Sequence, residues 1–202
     1  YTVIASAGDI TQAASSPLVV TNAASFTVNG GGTTITLNDA ANSFGSTVAF
    51  AGAALANVTV VDITSFDFGA VLNIAGNLSV TATGITQTGQ LVVGGTTTLI
   101  SSGANNILLA DATNDFTGAV SITSGQNATV VDAGTIDLGT SAITGDLVVT
   151  ANGTGVITQT GSGLDVNGTA TFTATGQNIT LTNAANDFTG AVVTDGLAVG
   201  LT

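Results

Sequence analysis

Apolar and polar residues alternate along short stretches of the chain. In segment 169–175, Ala and Phe take every second position and Thr takes the positions between them, and segments 34–37 and 179–182 alternate in the same way. A period of two is typical of a half-buried β-strand, because successive side chains point to opposite faces. Asn-Gly pairs such as Asn29-Gly30 and Asn152-Gly153 separate the stretches, and they tolerate the positive φ angles of sharp corners. The pattern predicts many short strands joined by tight turns.

The chain also repeats itself with a long, gap-free period. Ala-Ala-Asn-Ser-Phe at 40–44 returns as Ala-Thr-Asn-Asp-Phe at 112–116 and as Ala-Ala-Asn-Asp-Phe at 184–188, which defines a 72-residue repeat. Two further markers recur: Ile-Thr-Gln at 10–12, 85–87 and 157–159, and Val-Val-Asp at 60–62 and 130–132. A period of this length divides into about three coils of about 20 to 30 residues, the usual size of stacked repeats. We therefore predict one segment, 1–202, with repeat copies at approximately 8–83, 84–154 and an incomplete 155–202.

The predicted fold is all-β, a parallel β-helix (β-solenoid) of roughly eight or nine coils, with about three coils in each repeat. A single coil cannot bury its inner face, whereas stacked coils place like residues over like and pair each backbone amide with the coils above and below. At about 4.8 Å per stacked strand, the rod would be on the order of 40 Å long. A β-sandwich does not account for the gap-free long period, and a propeller needs blades of about 40 to 50 residues.

Two residues of the recurring Asn-x-Phe phrase are assigned structural roles. The aromatic residues are predicted to fill the core once per repeat, and not to form a ligand platform: Phe44, Phe116 and Phe188. The amide residues are predicted to be turn residues bonded to the backbone, with lectin-like or metal contacts as the alternative: Asn42, Asn114 and Asn186.

Composition argues against most kinds of chemistry. The chain has no Lys, Arg, His or Cys, and its twelve acidic residues, all Asp, give a net charge of −12. Neutralising nucleic-acid phosphates or binding anionic lipid requires Lys or Arg, so neither partner is expected. Zinc sites and Ser or Cys nucleophiles normally need His or Cys. No apolar run approaches the roughly 18 residues of a membrane helix. We predict a protein that is not an enzyme and does not insert into a membrane.

Paired carboxylates are the remaining candidates for catalysis. Asp62 with Asp67, and Asp132 with Asp137, have the residue types of a glycosidase acid and nucleophile. However, this pair recurs with the repeat, and an active site rarely does. We therefore predict that these residues belong to turns.

Calcium is the remaining candidate cofactor. Asp111 with Asp115, or Asp132 with Asp137, could offer carboxylate oxygens at a turn. The Gly-Gly-x-Gly-x-Asp calcium repeat and the EF-hand loop are both missing from the sequence. The prediction is no cofactor, with a structural calcium ion as the alternative.

The recurring phrases resemble a known family. Asn-Asp-Phe-Thr-Gly-Ala-Val at 114–120 and 186–192, with Ile-Thr-Gln-Thr-Gly at 85–89 and 157–161, is similar to repeats of very large secreted bacterial adhesins, the filamentous-haemagglutinin-like and related β-strand repeat surface proteins. The resemblance implies a right-handed parallel β-helix shaft, exported to the cell surface. That family's secretion module carries an Asn-Pro-Asn-Leu type signature, and this chain, whose single proline is Pro17, lacks it.

Two functions remain open. The first is a structural shaft or filament segment of an extracellular bacterial fibre, whose partner is itself, by end-to-end stacking or by continuation into neighbouring repeats. The second is a binding module in which a face built from rows of Thr binds a host or cell-surface glycan, or ice. Thr-x-Thr occurs at 34–36, 96–98, 171–173 and 180–182, without the even recurrence in every coil that an ice-matching lattice needs.

Overall fold

The computed structural model describes residues 1–102 and 105–202, and it consists of strands and corners. Within these ranges there is no helix, and so none with the length and apolarity of a membrane span. The strands of the described residues are β1 (Thr2–Ala5), β2 (Ile10–Thr11), β3 (Val19–Val20), β4 (Ala24–Val28), β5 (Thr34–Leu37), β6 (Ser43–Phe44), β7 (Val48–Ala51), β8 (Asn57–Val61), β9 (Ser65–Phe68), β10 (Leu72–Ile74), β11 (Leu78–Ala82), β12 (Gly84–Gln87), β13 (Leu91–Val93), β14 (Thr97–Ser101), β15 (Ile107–Leu109), β16 (Asp115–Phe116), β17 (Val120–Ser124), β18 (Ala128–Asp132), β19 (Ile136–Leu138), β20 (Ser141–Ile143), β21 (Leu147–Ala151), β22 (Ile157–Gln159), β23 (Leu164–Val166), β24 (Ala170–Leu181), β25 (Asp187–Phe188) and β26 (Val192–Leu201).

The strands pair in parallel, each with the strand one coil further along the chain. For example, β4, β5 and β6 form three arms of one coil, and β7 and β8 stack on β4 and β5. The length of a coil varies. Asn77 bonds to Thr96, 19 residues further along the chain, whereas Asp9 bonds to Thr34, 25 residues further along. About nine coils result. The predicted all-β parallel solenoid is therefore confirmed.

The interior is a continuous apolar core made by every second residue of each arm. In β11 and β21 the side chains alternate between buried and half-buried positions, as the period of two predicts. In the first coils the filling is aromatic: the rings of Phe26 and Phe50 stack with centroids 6.0 Å apart, and those of Phe50 and Phe66 with centroids 6.2 Å apart. Phe66 itself belongs to a different arm, where it stacks on Ile85 and Ile85 stacks on Ile107. Identical residue types therefore stack on each other at these positions, Phe50 on Phe26 and Ile107 on Ile85.

Glycines lie over one another at a corner where successive coils approach closely. A Cβ atom on Gly118 would lie 2.4 Å from the carbonyl oxygen of Gly95, and one on Gly95 would lie 2.6 Å from the carbonyl carbon of Gly76. No side chain fits at these distances, so the corner requires glycine. A second column of the same kind is Gly145, Gly168 and Gly190.

Side-chain oxygens at the same corners accept hydrogen bonds from the next coil. Asn57 Oδ1 accepts from the backbone N–H of Asn77 at 2.9 Å, and Asn77 Oδ1 accepts from Thr96 N–H at 2.9 Å. Asn127 Oδ1 likewise accepts from the N–H of Asp146 at 2.8 Å. Backbone N–H groups at corners need hydrogen-bond acceptors. These side chains supply the acceptors where the strand ladder does not.

One 72-residue repeat occupies three coils and one third of the next. Phe44 lies on β6 and Phe116 on β16, ten strands later. Between Phe116 and Phe188, β24 combines two arms separated by a register shift between Ala174 and Asn178, so the repeat again contains ten arms. Three arms make one coil, and ten is not a multiple of three. Each repeat therefore begins one arm further around the coil than the repeat before it.

The recurring Phe residues consequently do not stack on one another. Phe44 touches Phe66, with ring centroids 6.4 Å apart, in the column of Ile85. Phe116 instead stacks on Val93, and Phe188 stacks on Val166. The expectation that equivalent residues of successive repeats lie over one another is wrong, because the 72-residue period is not a whole number of coils.

Candidate functional site

The sequence markers meet in space once per repeat, all three of them in the first two copies and the Gln and Asn markers in the third. We call each meeting point a polar node: a Gln from Ile-Thr-Gln on one coil, the Asn of the Asn-x-Phe phrase on the next, and the Asp of Val-Val-Asp on the coil after that. The nodes are Gln12, Asn42 and Asp62 for the first, Gln87, Asn114 and Asp132 for the second, and Gln159 with Asn186 for the third. Because of the one-third advance, successive nodes face three different directions.

The centre of the second node is a reciprocal pair of amides. Gln87 Nε2 donates to Asn114 Oδ1 at 2.8 Å, and Asn114 Nδ2 donates back to Gln87 Oε1 at 2.8 Å. The two residues are 27 positions apart in the chain and one coil apart in the stack. The pair therefore ties one coil to the next through side chains, in addition to the backbone ladder.

Asn114 uses its remaining hydrogen-bonding capacity on the backbone. Its Oδ1 also accepts from Leu91 N–H at 2.9 Å, and its Nδ2 also donates to the carbonyl oxygens of Leu109 at 3.4 Å and Val131 at 3.3 Å. The residue is 0% exposed. A buried amide is tolerated only when its polar atoms are bonded, since each one left unpaired costs about 1 to 3 kcal/mol. The node satisfies this condition.

Asp132 closes the second node from the next coil. Its Oδ2 accepts from the N–H of Phe116 at 2.7 Å, and its Oδ1 accepts from the N–H of Gly134 at 2.6 Å. Desolvation by burial raises the pKa of Asp132 above its usual value, and the two backbone hydrogen bonds offset part of the rise. The negative charge of Asp115 raises this pKa slightly further. The Asp132 carboxylate therefore binds the backbone of the Asn-x-Phe segment from the next coil.

The first node repeats this geometry. Asn42, also 0% exposed, exchanges two hydrogen bonds with Gln12, at 2.5 and 2.9 Å. Asp62 Oδ1 accepts from the N–H of Phe44 at 3.3 Å and from Thr64 N–H at 2.8 Å. Asp62 Oδ2 is buried without a hydrogen-bond partner among the described residues. The node is thus a property of the repeat and not of one copy.

The third node has the amide pair without a third coil over it. Gln159 Nε2 donates to Asn186 Oδ1 at 2.7 Å, and Asn186 Nδ2 donates to Gln159 Oε1 at 3.0 Å and to the carbonyl of Thr202 at 3.1 Å. Thr202 occupies the position that Val131 has in the second node. Asn186 and Phe188 are half-buried, whereas Asn114 and Phe116 are fully buried.

The predicted roles of the recurring residues can be placed against this geometry. Phe44 and Phe116 are 1% and 0% exposed, and Phe188 packs half-buried against the core. All three Asn side chains bond to the backbone, and the sequence-based interpretation missed that each also bonds to a Gln. The sequence contained a signal for this pair, because the Gln of Ile-Thr-Gln precedes the Asn of Asn-x-Phe by 27 residues in two of the three copies.

The four candidate calcium ligands do not share a common set of hydrogen bonds. Asp111 Oδ1 accepts from Thr113 N–H at 2.8 Å and from the Thr113 hydroxyl at 2.6 Å, and these bonds lower the pKa of Asp111. Asp132 is committed to the node, and Asp115 is exposed on β16. Over residues 1–102 and 105–202, no three His, Cys, Asp or Glu side chains gather where they could hold a metal ion.

The two Asp pairs that were weighed as a glycosidase acid and nucleophile, and predicted to be turn residues, each combine two carboxylates with different surroundings. Asp137 accepts hydrogen bonds from the hydroxyls of Thr158, at 3.1 Å, and Thr160 on the next coil, while its partner Asp132 faces the core. Asp67 is half-buried, and its Oδ1 is buried without a hydrogen-bond partner among the described residues. Desolvation raises the pKa of Asp67, and the nearby Thr86 side chain lowers it in part. Asp137 therefore connects one coil to the next through its carboxylate.

A row of hydroxyl groups runs along one outer face through six successive coils. Its members, each stacked on the one before, are Thr11, Thr36, Thr59, Ser79, Thr98 and Ser121. Thr11 is exposed and the rest are half-buried. The Thr-x-Thr pairs of the sequence do not reveal this row, because two of its members are Ser and because the spacing between members varies with the length of the corners.

Comparison with known protein families identifies the family of the chain. The family described as repeats of unknown function (DUF5649) matches residues 2–51, 55–123 and 125–195. The chain belongs to this family of repeats. The last two matches begin at positions 55 and 125, a spacing close to that of the nodes. No curated protein and no solved structure matches the chain.

Proposed function

We propose that the chain is a structural shaft or filament-forming segment of a secreted bacterial cell-surface fibre or adhesin, without catalysis. The observation that supports this best is how the polar side chains are used. The buried amides and carboxylates of the nodes bond to neighbouring coils and to backbone groups. Residues that could do chemistry are thus used to hold the stack together.

The partner in this proposal is the solenoid itself. Strands at either end of a stack have one unpaired edge, which would invite aggregation unless further coils cover it. Tandem repeats of the same chain, or end-to-end stacking of copies, provide such coils. The net charge of −12 opposes lateral association of the rods. Extracellular display on a bacterial surface follows from the resemblance to the large adhesins and is part of the proposal.

Electron microscopy of the native, untruncated material tests the proposal. Uniform thin rods whose axial repeat is about 4.8 Å, the spacing of stacked strands, are expected. Discrete compact particles would contradict it. Cofactor independence is tested separately: we expect the same melting temperature in EDTA and in millimolar calcium, and a rise with calcium would show that the carboxylates bind the ion.

A binding module is the second candidate, and the hydroxyl row favours it. Parallel strands place its hydroxyls about 4.8 Å apart along one face, which suits an extended glycan or an ice surface. The test is glycan-array binding and thermal hysteresis of the native chain and of a variant with Thr36→Val, Thr59→Val and Thr98→Val. Thr171→Val with Thr173→Val is the control on another face. Activity lost only in the first variant would establish the module.

A further inference from the structure

We propose that the Gln–Asn pair of each node is a register key, which selects the one alignment in which the Asn-bearing coil lies on the Gln-bearing coil. The core by itself does not select this alignment. Ile85 stacks on Ile107, and a shift of two residues would place Ile85 against Leu109, another buried aliphatic residue. A shift of two also keeps the inward-facing side chains facing inward.

The corners would permit such a shift. Bonded positions on successive coils are 19 residues apart at Asn77 and Thr96 but 25 residues apart at Asp9 and Thr34. Corners of different lengths therefore occur within one continuous stack. The backbone ladder re-forms after a shift because every strand residue offers the same N–H and C=O groups. Where β12 stacks on β15, in an arm that does not include the glycine column of Gly76, Gly95 and Gly118, neither the core, the corner lengths nor the ladder distinguishes the native alignment from the shifted one.

The amide pair does distinguish them. A two-residue shift moves Asn114 about 6.6 Å along the strand direction relative to Gln87, which breaks both amide–amide hydrogen bonds. Asn114 is 0% exposed, so water cannot replace those bonds. A single buried polar residue is known to fix the register of coiled helices in the same manner. The pair occurs once in each set of ten arms, so it sets the register once per repeat. This role belongs to the folded chain and does not depend on the proposed shaft function.

Disulfide trapping reads the register directly, because the chain has no cysteine of its own. Thr86 and Leu108 are stacked partners on the outer face, about 4.8 Å apart, and Thr86→Cys with Leu108→Cys reports the native alignment. Thr86→Cys with Ala110→Cys reports the shifted one. In the native alignment those two Cα atoms are about 8 Å apart, beyond the reach of a disulfide.

Each reporter pair is placed in three backgrounds: the native chain, Gln87→Leu with Asn114→Leu, and Asn127→Leu. Asn127 is the matched control, since its amide also bonds across coils but lies at a surface corner. We expect the shifted disulfide to increase about tenfold or more in the double variant, equivalent to about 1.4 kcal/mol of lost register preference. It should stay at the native level in Asn127→Leu. A folded double variant that forms only the native disulfide would overturn the proposal.

The third node provides the same test if the double variant does not fold. Gln159 and Asn186 are half-buried, so Gln159→Leu with Asn186→Leu should be tolerated. Ile157 stacks on Ile179, so Thr158→Cys with Thr180→Cys reports the native alignment and Thr158→Cys with Thr182→Cys the shifted one. The expected increase and the contradicting result are the same as for the second node.

Discussion

The second and third nodes have nearly the same sequence and different surroundings. Both hold a Gln–Asn amide pair with a Phe two residues after the Asn, but only the second is covered by a coil that carries an Asp. Asn114 and Phe116 are 0% exposed, while Asn186 and Phe188 are half-buried. In a solenoid, burial is therefore a property of the neighbouring coils and cannot be assigned to a repeat by itself.

The largest expected difference between the two nodes concerns the aromatic residues. Phe116→Ala should lower the free energy of unfolding by about 4 kcal/mol, because it leaves a cavity inside a covered coil. Phe188→Ala should cost about 2 kcal/mol, since part of the ring already meets solvent. Urea denaturation followed by circular dichroism measures both. Equal costs would mean that the additional coil contributes nothing to the core.

The Asn residues should show a smaller difference in the same direction. Asn114→Ala leaves Gln87 Oε1 and the N–H of Leu91 without partners, and should cost about 3 kcal/mol. Asn186→Ala should cost about 1 kcal/mol, because water can reach the groups it exposes. The same denaturation experiment applies. A cost for Asn186→Ala as large as that for Asn114→Ala would contradict the importance of burial.

An added coil should make the two nodes alike. Thr202 occupies the position of Val131, so a copy of residues 132–151 placed after Thr202 would bring an Asp over the third node. In this longer chain the cost of Asn186→Ala should rise by about 2 kcal/mol, towards that of Asn114→Ala. A copy in which the residue equivalent to Asp132 is Ala is the control, and it should give a smaller rise.

The smallest expected effect is a pH dependence that arises at the second node. Burial raises the folded-state pKa of Asp132 above the ordinary value of 3.8. Its contribution to stability is therefore fully present below pH 3.8 and is lost as the pH rises through the raised folded value. In Asp132→Asn, the fall in unfolding free energy between about pH 4 and 7 should be smaller than in the native chain.

Asp111 is the control of opposite sign. Hydrogen bonds from Thr113 lower its pKa, so its contribution is present above the ordinary value and is lost as the pH falls through the lowered folded value. Asp111→Asn should therefore change stability mainly on the acid side. If both variants changed stability over the same pH range, the assignment of the pH dependence to Asp132 would be wrong.

Much of the fold was predictable, because alternation and a gap-free repeat are local signals. The inward positions of β24, such as Ala170, Phe172 and Ala174, follow directly from the period of two. The partner of a given residue was not predictable. It depends on the length of each coil, which varies from corner to corner, and the 72-residue repeat fills three coils and a third. Phe44 therefore lies under Phe66 and not under another copy of itself.

The candidate site was predicted in pieces. The sequence singled out Asn114 and Asp132 as turn residues and the Ile-Thr-Gln phrase as a repeat marker. That Gln87, Asn114 and Asp132 form one node on three coils depends on stacking distances that no local pattern contains. The amide pair could have been suspected from the 27-residue spacing that two of the three copies share, since two polar residues about one coil apart are candidates to face each other.

The one-third advance also determines the shape of a longer array. A wide corner or a bulky side chain acts as a wedge, and a wedge repeated on the same side of a stack would bend it into an arc. Here each repeat points its wedges in a different one of three directions, so their bending cancels over three repeats. A shaft built from many copies would therefore stay straight and resist bending equally in all directions, however many copies were joined.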